Sequence, residues 1–201
     1  MNTHDPRDSY IAQVVQGRSF LEVGGLWGGV NEKVSVAYRF GARRLAIVDV
    51  AKPENQWWEF FRQRMTQMDI KNYDAYYEVT DELIKLKKPY FVVSYDFEFE
   101  RFPEKVDLAI AHSLFTHLPP RLIHKCLKNF LVKAKGQTIL FATFFETNKT
   151  VKNPPKPGDH KSFLYTREEM VYFGEANGYS SQYIGQWGHP RGQVMVAYSP
   201  R

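Results

Sequence analysis

Three carboxylates, Glu22, Asp49 and Asp96, stand at or just past the end of short apolar runs, in FLEV, AIVD and YFVVSYD. Glycines at 24, 25, 28 and 29 follow the first of them. So much bare backbone after a strand lets the main chain approach a ligand closely beside a helix N-terminus. Glu22 bears on that ligand's charge, because an acid two residues before Gly24 repels a phosphate and attracts an ammonium. The dinucleotide pattern G-x-G-x-x-G fails at Leu26, and no G-x-x-x-x-G-K-[ST] phosphate loop is present. A nucleotide-like cofactor gripped other than through its phosphates is the expectation. His112 and His117 follow a fourth apolar run, VDLAIA, and histidine is the usual proton acceptor near neutral pH.

Gathering these groups requires strands that end side by side. The chain alternates β-branched runs with helical periodicities, the pattern of a parallel sheet covered on both faces. RSFLEVGG, RRLAIVDV, PYFVVSYDFEF, KVDLAIAHSLF and GQTILFATFF are predicted strands, the third and fourth apolar on both faces as central parallel strands are. Val30, Val34, Ala37 and Tyr38 recur at helical spacing up to Gly41. Trp57, Trp58, Phe61, Met65 and Met68 share one face of a core-facing helix, whereas residues 70–88 fit helix or strand. Pro119 and Pro120 open a helix with the stripe Leu122, Ile123, Cys126, Leu127, Phe130 and Leu131, which makes Cys126 a core residue. Thr166 and Glu169 have capping-box spacing before a last helix that closes near Gly178. SSQYIGQW and GQVMVAYS flank the turn GHPRG, so the final strand is antiparallel. The expected fold is α/β, doubly wound, with a mostly parallel seven-stranded sheet and a C-terminal antiparallel hairpin. It forms one domain over 1–201, with an N-terminal segment 1–17, a core 18–198 and a substrate-side loop 147–161.

In these residues the chain resembles the class I S-adenosylmethionine-dependent methyltransferases of the small-molecule type, over about residues 18–198. That family's first motif is an acid, any residue, then glycines at alternate positions. Glu22, Gly24 and Gly28 match it, while Leu26 takes the place of the usual middle glycine, with Trp27 beside it. The resemblance implies S-adenosyl-L-methionine as cofactor, with Glu22 toward the methionyl ammonium and Val23, Gly24, Gly25, Trp27 and Gly28 along the methionine moiety. It implies that Asp49 accepts from both ribose hydroxyls with Val50 against adenine, and that Asp96 accepts from the adenine amino group with Phe97 beside it. It places His112 and Ser113 at the methionine end and His117 at the start of the substrate side. Three acids ending three successive strands in the order ammonium, ribose, adenine are the strongest part of the match.

A sulfonium methyl is already activated, so the protein need only align nucleophile, carbon and sulfur and remove a proton where the nucleophile carries one. No metal is implied. His117 and His112 are the expected bases; His160, Tyr165 and His189 lie in loops where the resemblance puts substrate contacts. Asn153 to Lys156, NPPK, reads as a rigid turn and not as an amino-methylating N-P-P-Y, because it follows the fifth strand and lacks the aromatic. Few residues remain outside the core to shape a pocket. The expected acceptor is therefore a small molecule, such as a natural-product intermediate or a sugar, methylated on oxygen or nitrogen; a pocket completed by a second subunit of a homodimer fits the same size. A net charge of +5 spread over KLKK and KNFLVKAKG reads as solvated surface, so an RNA methyltransferase rests on charge alone. A non-catalytic, cofactor-binding partner subunit rests on the bulk of Leu26 and Trp27. One cysteine favours a reducing compartment and no apolar stretch approaches a membrane span, so the expected setting is cytoplasmic, with no membrane partner.

Overall fold

Ser19–Val23 folds as strand β1 with all five residues buried, as a strand with neighbours on both edges and cover on both faces must be. The computed structural model describes residues 6–24, 33–50, 90–158 and 162–201. Its elements run α1 (Pro6–Val15), β1, α2 (Val34–Arg39), β2 (Arg44–Asp49), β3 (Tyr90–Val93), β4 (Val106–Ala111), α3 (Pro120–Phe130), β5 (Ala134–Glu146), β6 (Leu164–Tyr165), α4 (Arg167–Glu175), β7 (Tyr179–Gln186) and β8 (Val194–Pro200). Single 3-10 turns occupy Phe99–Arg101 and Phe115–His117. The helix expected around Trp57, Trp58, Phe61, Met65 and Met68, and the segment 70–88, lie outside the described residues.

The strands form one sheet in the order β3-β2-β1-β4-β5-β8-β7, with the two-residue β6 beside the end of β5. Pairs from β3 through β5 are parallel, whereas β8 runs antiparallel to both β5 and β7. This is the mostly parallel sheet with a terminal hairpin that the order of elements predicts. Strand order reverses at β1, which lies between β2 and β4, so a crevice opens above the carboxyl ends there. One expectation is corrected: β3 is an outer strand among the described ones, at the edge opposite β7, with Tyr90 exposed and only Val92 fully buried. Apolarity reports that a strand's two faces are covered, which also holds for an outer strand of a doubly wound sheet. It does not report whether the far edge is paired.

Alternation along β1 sends Leu21 and Val23 to one face and Phe20 to the other, seeding two core layers. On the first face α3 contributes Ile123, Cys126, Leu127 and Phe130, each fully buried at i, i+3, i+4 and i+7. Each such apolar side chain contributes about 1.5–3 kcal/mol of burial, and Pro120 at its first turn wastes no amide. Leu131, read as part of that stripe, falls past the helix end and is exposed. α4 starts with the predicted capping box: Glu169 N–H donates to Thr166 Oγ1 at 3.1 Å, and Thr166 N–H to Glu169 Oε2 at 2.8 Å. Tyr165, Tyr179 and Tyr198 tie this layer together by donating their hydroxyls to the carbonyls of Leu118, Leu127 and Met170. Burial pushes all three phenols above their ordinary range.

The second face is covered by α2 and by α1, whose Ile11 and Val15 join the core. Segment 1–17 had no helical reading in the sequence, yet Pro6–Val15 is a helix. Its Asp8 explains the docking. The Asp8 carboxylate meets the buried Lys33 ammonium at 2.8 Å, just before α2 begins.

Candidate active site

Where β1 ends, Gly24 takes φ +77°, and its N–H continues the sheet by donating to Val48 O at 2.8 Å. Ser94 N–H does the same for Asp49 O at 2.8 Å. These extensions bring the carboxyl ends of β1, β2 and β3 level. Above them lies a cavity of about 340 Å³, within the usual range for a small-ligand site. Val23 and Gly24 form its floor with Val48, Asp49 and Val50 at the end of β2, and Ser94, Tyr95 and Phe97 line it after β3. Leu114, His117, Leu118 and Leu122, between β4 and α3, close another side, and Pro157 with Gly158 complete it. A Cβ built on Gly24 would come within 2.9 Å of Leu114 Cδ1. Glycine thus keeps both the turn and the space.

The loop after β3 is held tightly. Asp96 N–H and Glu98 N–H both donate to Ser94 Oγ, at 3.1 and 3.0 Å. Phe97 adopts φ +57°, a conformation uncommon outside glycine, and Asn129 of α3 secures it by donating to the carbonyls of Asp96 and Phe97. The Asp96 carboxylate turns to the surface and meets the Lys125 ammonium at 2.6 Å, outside the cavity lining.

Glu22 is buried, and its Oε2 accepts the backbone N–H groups of Lys33 at 2.6 Å and Val34 at 3.0 Å. Its carboxylate therefore anchors the start of α2 to β1, a role the spacing Glu22 to Gly24 did not announce.

His117 closes the turn after β4. Its Nδ1 lies 3.1 Å from Gly158 O, and because a carbonyl can only accept, the neutral ring carries its proton on Nδ1. Nε2 is left as the basic nitrogen. Gly158 N–H donates back to His117 O at 3.3 Å.

A second group of side chains gathers where β4, β5 and the β7–β8 hairpin end. Ser113, at φ +56°, donates its N–H to Thr143 Oγ1 at 2.7 Å. The Ser113 and Thr143 hydroxyls both donate to Gln193 Oε1, at 3.1 and 2.7 Å. One register step past Gln186↔Val194 sets Trp187 opposite Gln193, and both Trp187 Nε1 and Gln193 Nε2 are buried without a hydrogen-bond partner among the described residues. His189 Nδ1 accepts Arg191 N–H at 3.2 Å, which puts the proton of its neutral ring on Nε2, 3.4 Å from Ser113 Oγ. The His112 ring lies 5.5 Å from Trp187 and 5.4 Å from His189.

The structure thus unites Val23, Gly24, Asp49, Val50, Phe97 and His117 around one cavity. It gathers His112, read as base candidate and cofactor residue, Ser113, read beside it as a cofactor residue, and His189, read as a substrate residue, into the polar cluster. Tyr165 is a buried packing group bonded to Leu118 O. Gly25, Trp27, Gly28 and His160 lie outside the described residues. Sequence reasoning missed Ser94 and Gly158. A serine ending a strand two residues before an aspartate is a turn signal that was available for the first; nothing local marks the second. Among the described residues no group of three or more His, Cys, Asp or Glu is placed to hold a metal, and no helix is long and apolar enough to cross a membrane.

By sequence the chain matches no family model and no curated protein. By structure it is similar to the pyocyanin biosynthetic protein PhzM, with a TM-score of 0.63 and 14% identity over 98% of this chain. The chain spans 54% of the length of that protein. It is also similar to the Burkholderia thailandensis 1,6-didemethyltoxoflavin-N1-methyltransferase bound to its substrate and S-adenosylhomocysteine, with a TM-score of 0.60 and 15% identity over 98% of this chain and 80% of that one. A Synechocystis magnesium protoporphyrin IX methyltransferase with bound SAM gives 0.57 and 12%, over 97% and 78%. The fold is that of the class I S-adenosylmethionine-dependent methyltransferases.

Proposed function

We propose that the chain binds S-adenosyl-L-methionine and transfers its methyl group to an oxygen or nitrogen of a small molecule. The observation that carries this reading is the meeting of Gly24, Asp49 and His117 in a single cavity at the strand-order reversal. The lining suits the cofactor: Gly24 leaves open a space that a Cβ would fill, and the Asp49 carboxylate is an acceptor for ribose hydroxyls. Val50 and Tyr95, 53% and 77% exposed, offer apolar surface that a flat adenine would cover. When bound, the cofactor supplies a methyl carbon already activated by its sulfonium.

The protein's remaining tasks are alignment and proton removal. Leu114, Leu118 and Leu122 give the acceptor side of the cavity an apolar wall that excludes water. His117 Nε2 takes the proton of the acceptor's hydroxyl or amine, while the Gly158 carbonyl holds the ring through Nδ1. This is the arrangement of a base oriented by a third group. Structural neighbours acting on small molecules support the substrate class.

Transfer of a labelled methyl from S-adenosylmethionine to panels of phenols, N-heterocycles and amines tests the reading. His117→Gln is expected to lower turnover by roughly 10²–10⁴-fold with the best acceptor. Undiminished turnover in that variant contradicts the base assignment; cofactor binding with no methyl transfer to any panel contradicts the enzyme reading.

A further inference from the structure

We propose that the described residues between β5 and β6, from 147 to Gly158 and then Phe163, act as a strap that sets the tautomer and position of His117, with Asn153 as the positioning residue that keeps it fastened; this rests on the reading of His117 as base. Three consecutive carbonyls of the turn accept from this excursion and its end. Phe163 N–H donates to Thr116 O at 2.8 Å, Gly158 N–H to His117 O at 3.3 Å, and the Tyr165 hydroxyl to Leu118 O at 2.5 Å. A return bond runs from His117 Nδ1–H to Gly158 O at 3.1 Å. The base is therefore oriented by main chain that lies 41 residues away in sequence.

What holds Gly158 there is the fastening of the strap to itself. Asn153 Nδ2 donates to Leu164 O at 2.7 Å, and Leu164 N–H donates to Asn153 Oδ1 at 3.1 Å. The side-chain amide thus stands in for a strand neighbour, using both its donor and its acceptor. Pro154, Pro155 and Pro157 restrict the chain between Asn153 and Gly158, so little backbone freedom remains to be lost on fastening. Which ring nitrogen of a neutral histidine bears the proton is decided by the partner of the other, so loosening Gly158 frees both tautomers.

Nitrogen NMR of histidine-labelled protein, with the His117 signals assigned by their loss in His117→Gln, reads the tautomer without any acceptor. The wild type is expected to carry the proton on Nδ1 with Nε2 bare. Asn153→Ala is expected to populate both tautomers, and to lower kcat by roughly 10-fold while cofactor affinity stays unchanged. Asn153→Asp, which keeps the acceptor and loses the donor, should fall between. Gly158→Pro, which removes the N–H, provides a second test should Asn153→Ala not fold. A proton on Nε2 in the wild type, or an unchanged tautomer in folded Asn153→Ala or Gly158→Pro, overturns the proposal. If the tautomer follows the strap while His117→Gln retains turnover, the base reading fails and the strap stands.

Discussion

Gly24 carries two constraints, a φ of +77° and a side chain 2.9 Å from where its Cβ would lie. Gly24→Ala is therefore expected to destabilise the fold by about 1–3 kcal/mol and to weaken cofactor binding, measured by urea denaturation and calorimetry. Trp187 presents the opposite case, a buried indole N–H with no acceptor among the described residues. Leaving such a donor unpaired costs about 1–3 kcal/mol, so Trp187→Phe is expected to be neutral or stabilising in thermal denaturation. A clear loss of stability would contradict that account of the polar cluster. At this scale the sequence was readable where the end of a strand decides a residue's place, as for Gly24 and Asp49, both of which line the cavity. It was unreadable where a side chain's partner is far along the chain: the Glu22 carboxylate is taken by amides of residues 33 and 34, and Asp96 by Lys125.

Among elements, α3 and α4 meet through His124, whose Nδ1 lies 2.7 Å from Asn177 Nδ2. An amide nitrogen donates, so this contact requires the neutral ring, and burial accordingly lowers the His124 pKa from 6.5. The unfolded chain then binds the proton more readily than the folded one, so stability is full above about pH 6.5 and falls as pH drops below it. His124→Phe is expected to flatten this dependence between about pH 7 and 5 in urea melts at fixed salt; an unchanged slope would contradict the role given to the contact. Helix α3 and the cap of α4 were legible because their spacing and capping residues are local. α1 was not, since its stabilisation comes from Lys33 and the core of the second face and not from its own periodicity. β3 was legible as a strand but not as an outer one, because edge pairing leaves no mark in a run of apolar residues.

Across the whole molecule, the alternation of runs and helices followed by a hairpin was enough to foresee a mostly parallel, doubly wound sheet with a ligand at the glycine turn after its first strand; the reversal of strand order at β1 is seen only in the structure. The strap that fastens at Asn153 was foreseen as part of a substrate-side loop, 147–161, with a rigid turn at Asn153. Its contact with His117 depends on two turns of chain meeting above the sheet, which no local pattern encodes. The central claim is that this crevice holds S-adenosylmethionine through Asp49, and calorimetric titration of the wild type and Asp49→Ala tests it most directly. The expected result is binding near the micromolar range, weakened by roughly 100-fold in Asp49→Ala as its charged hydrogen bonds are lost. Absence of binding to the folded wild type, or equal affinity in the variant, would contradict it.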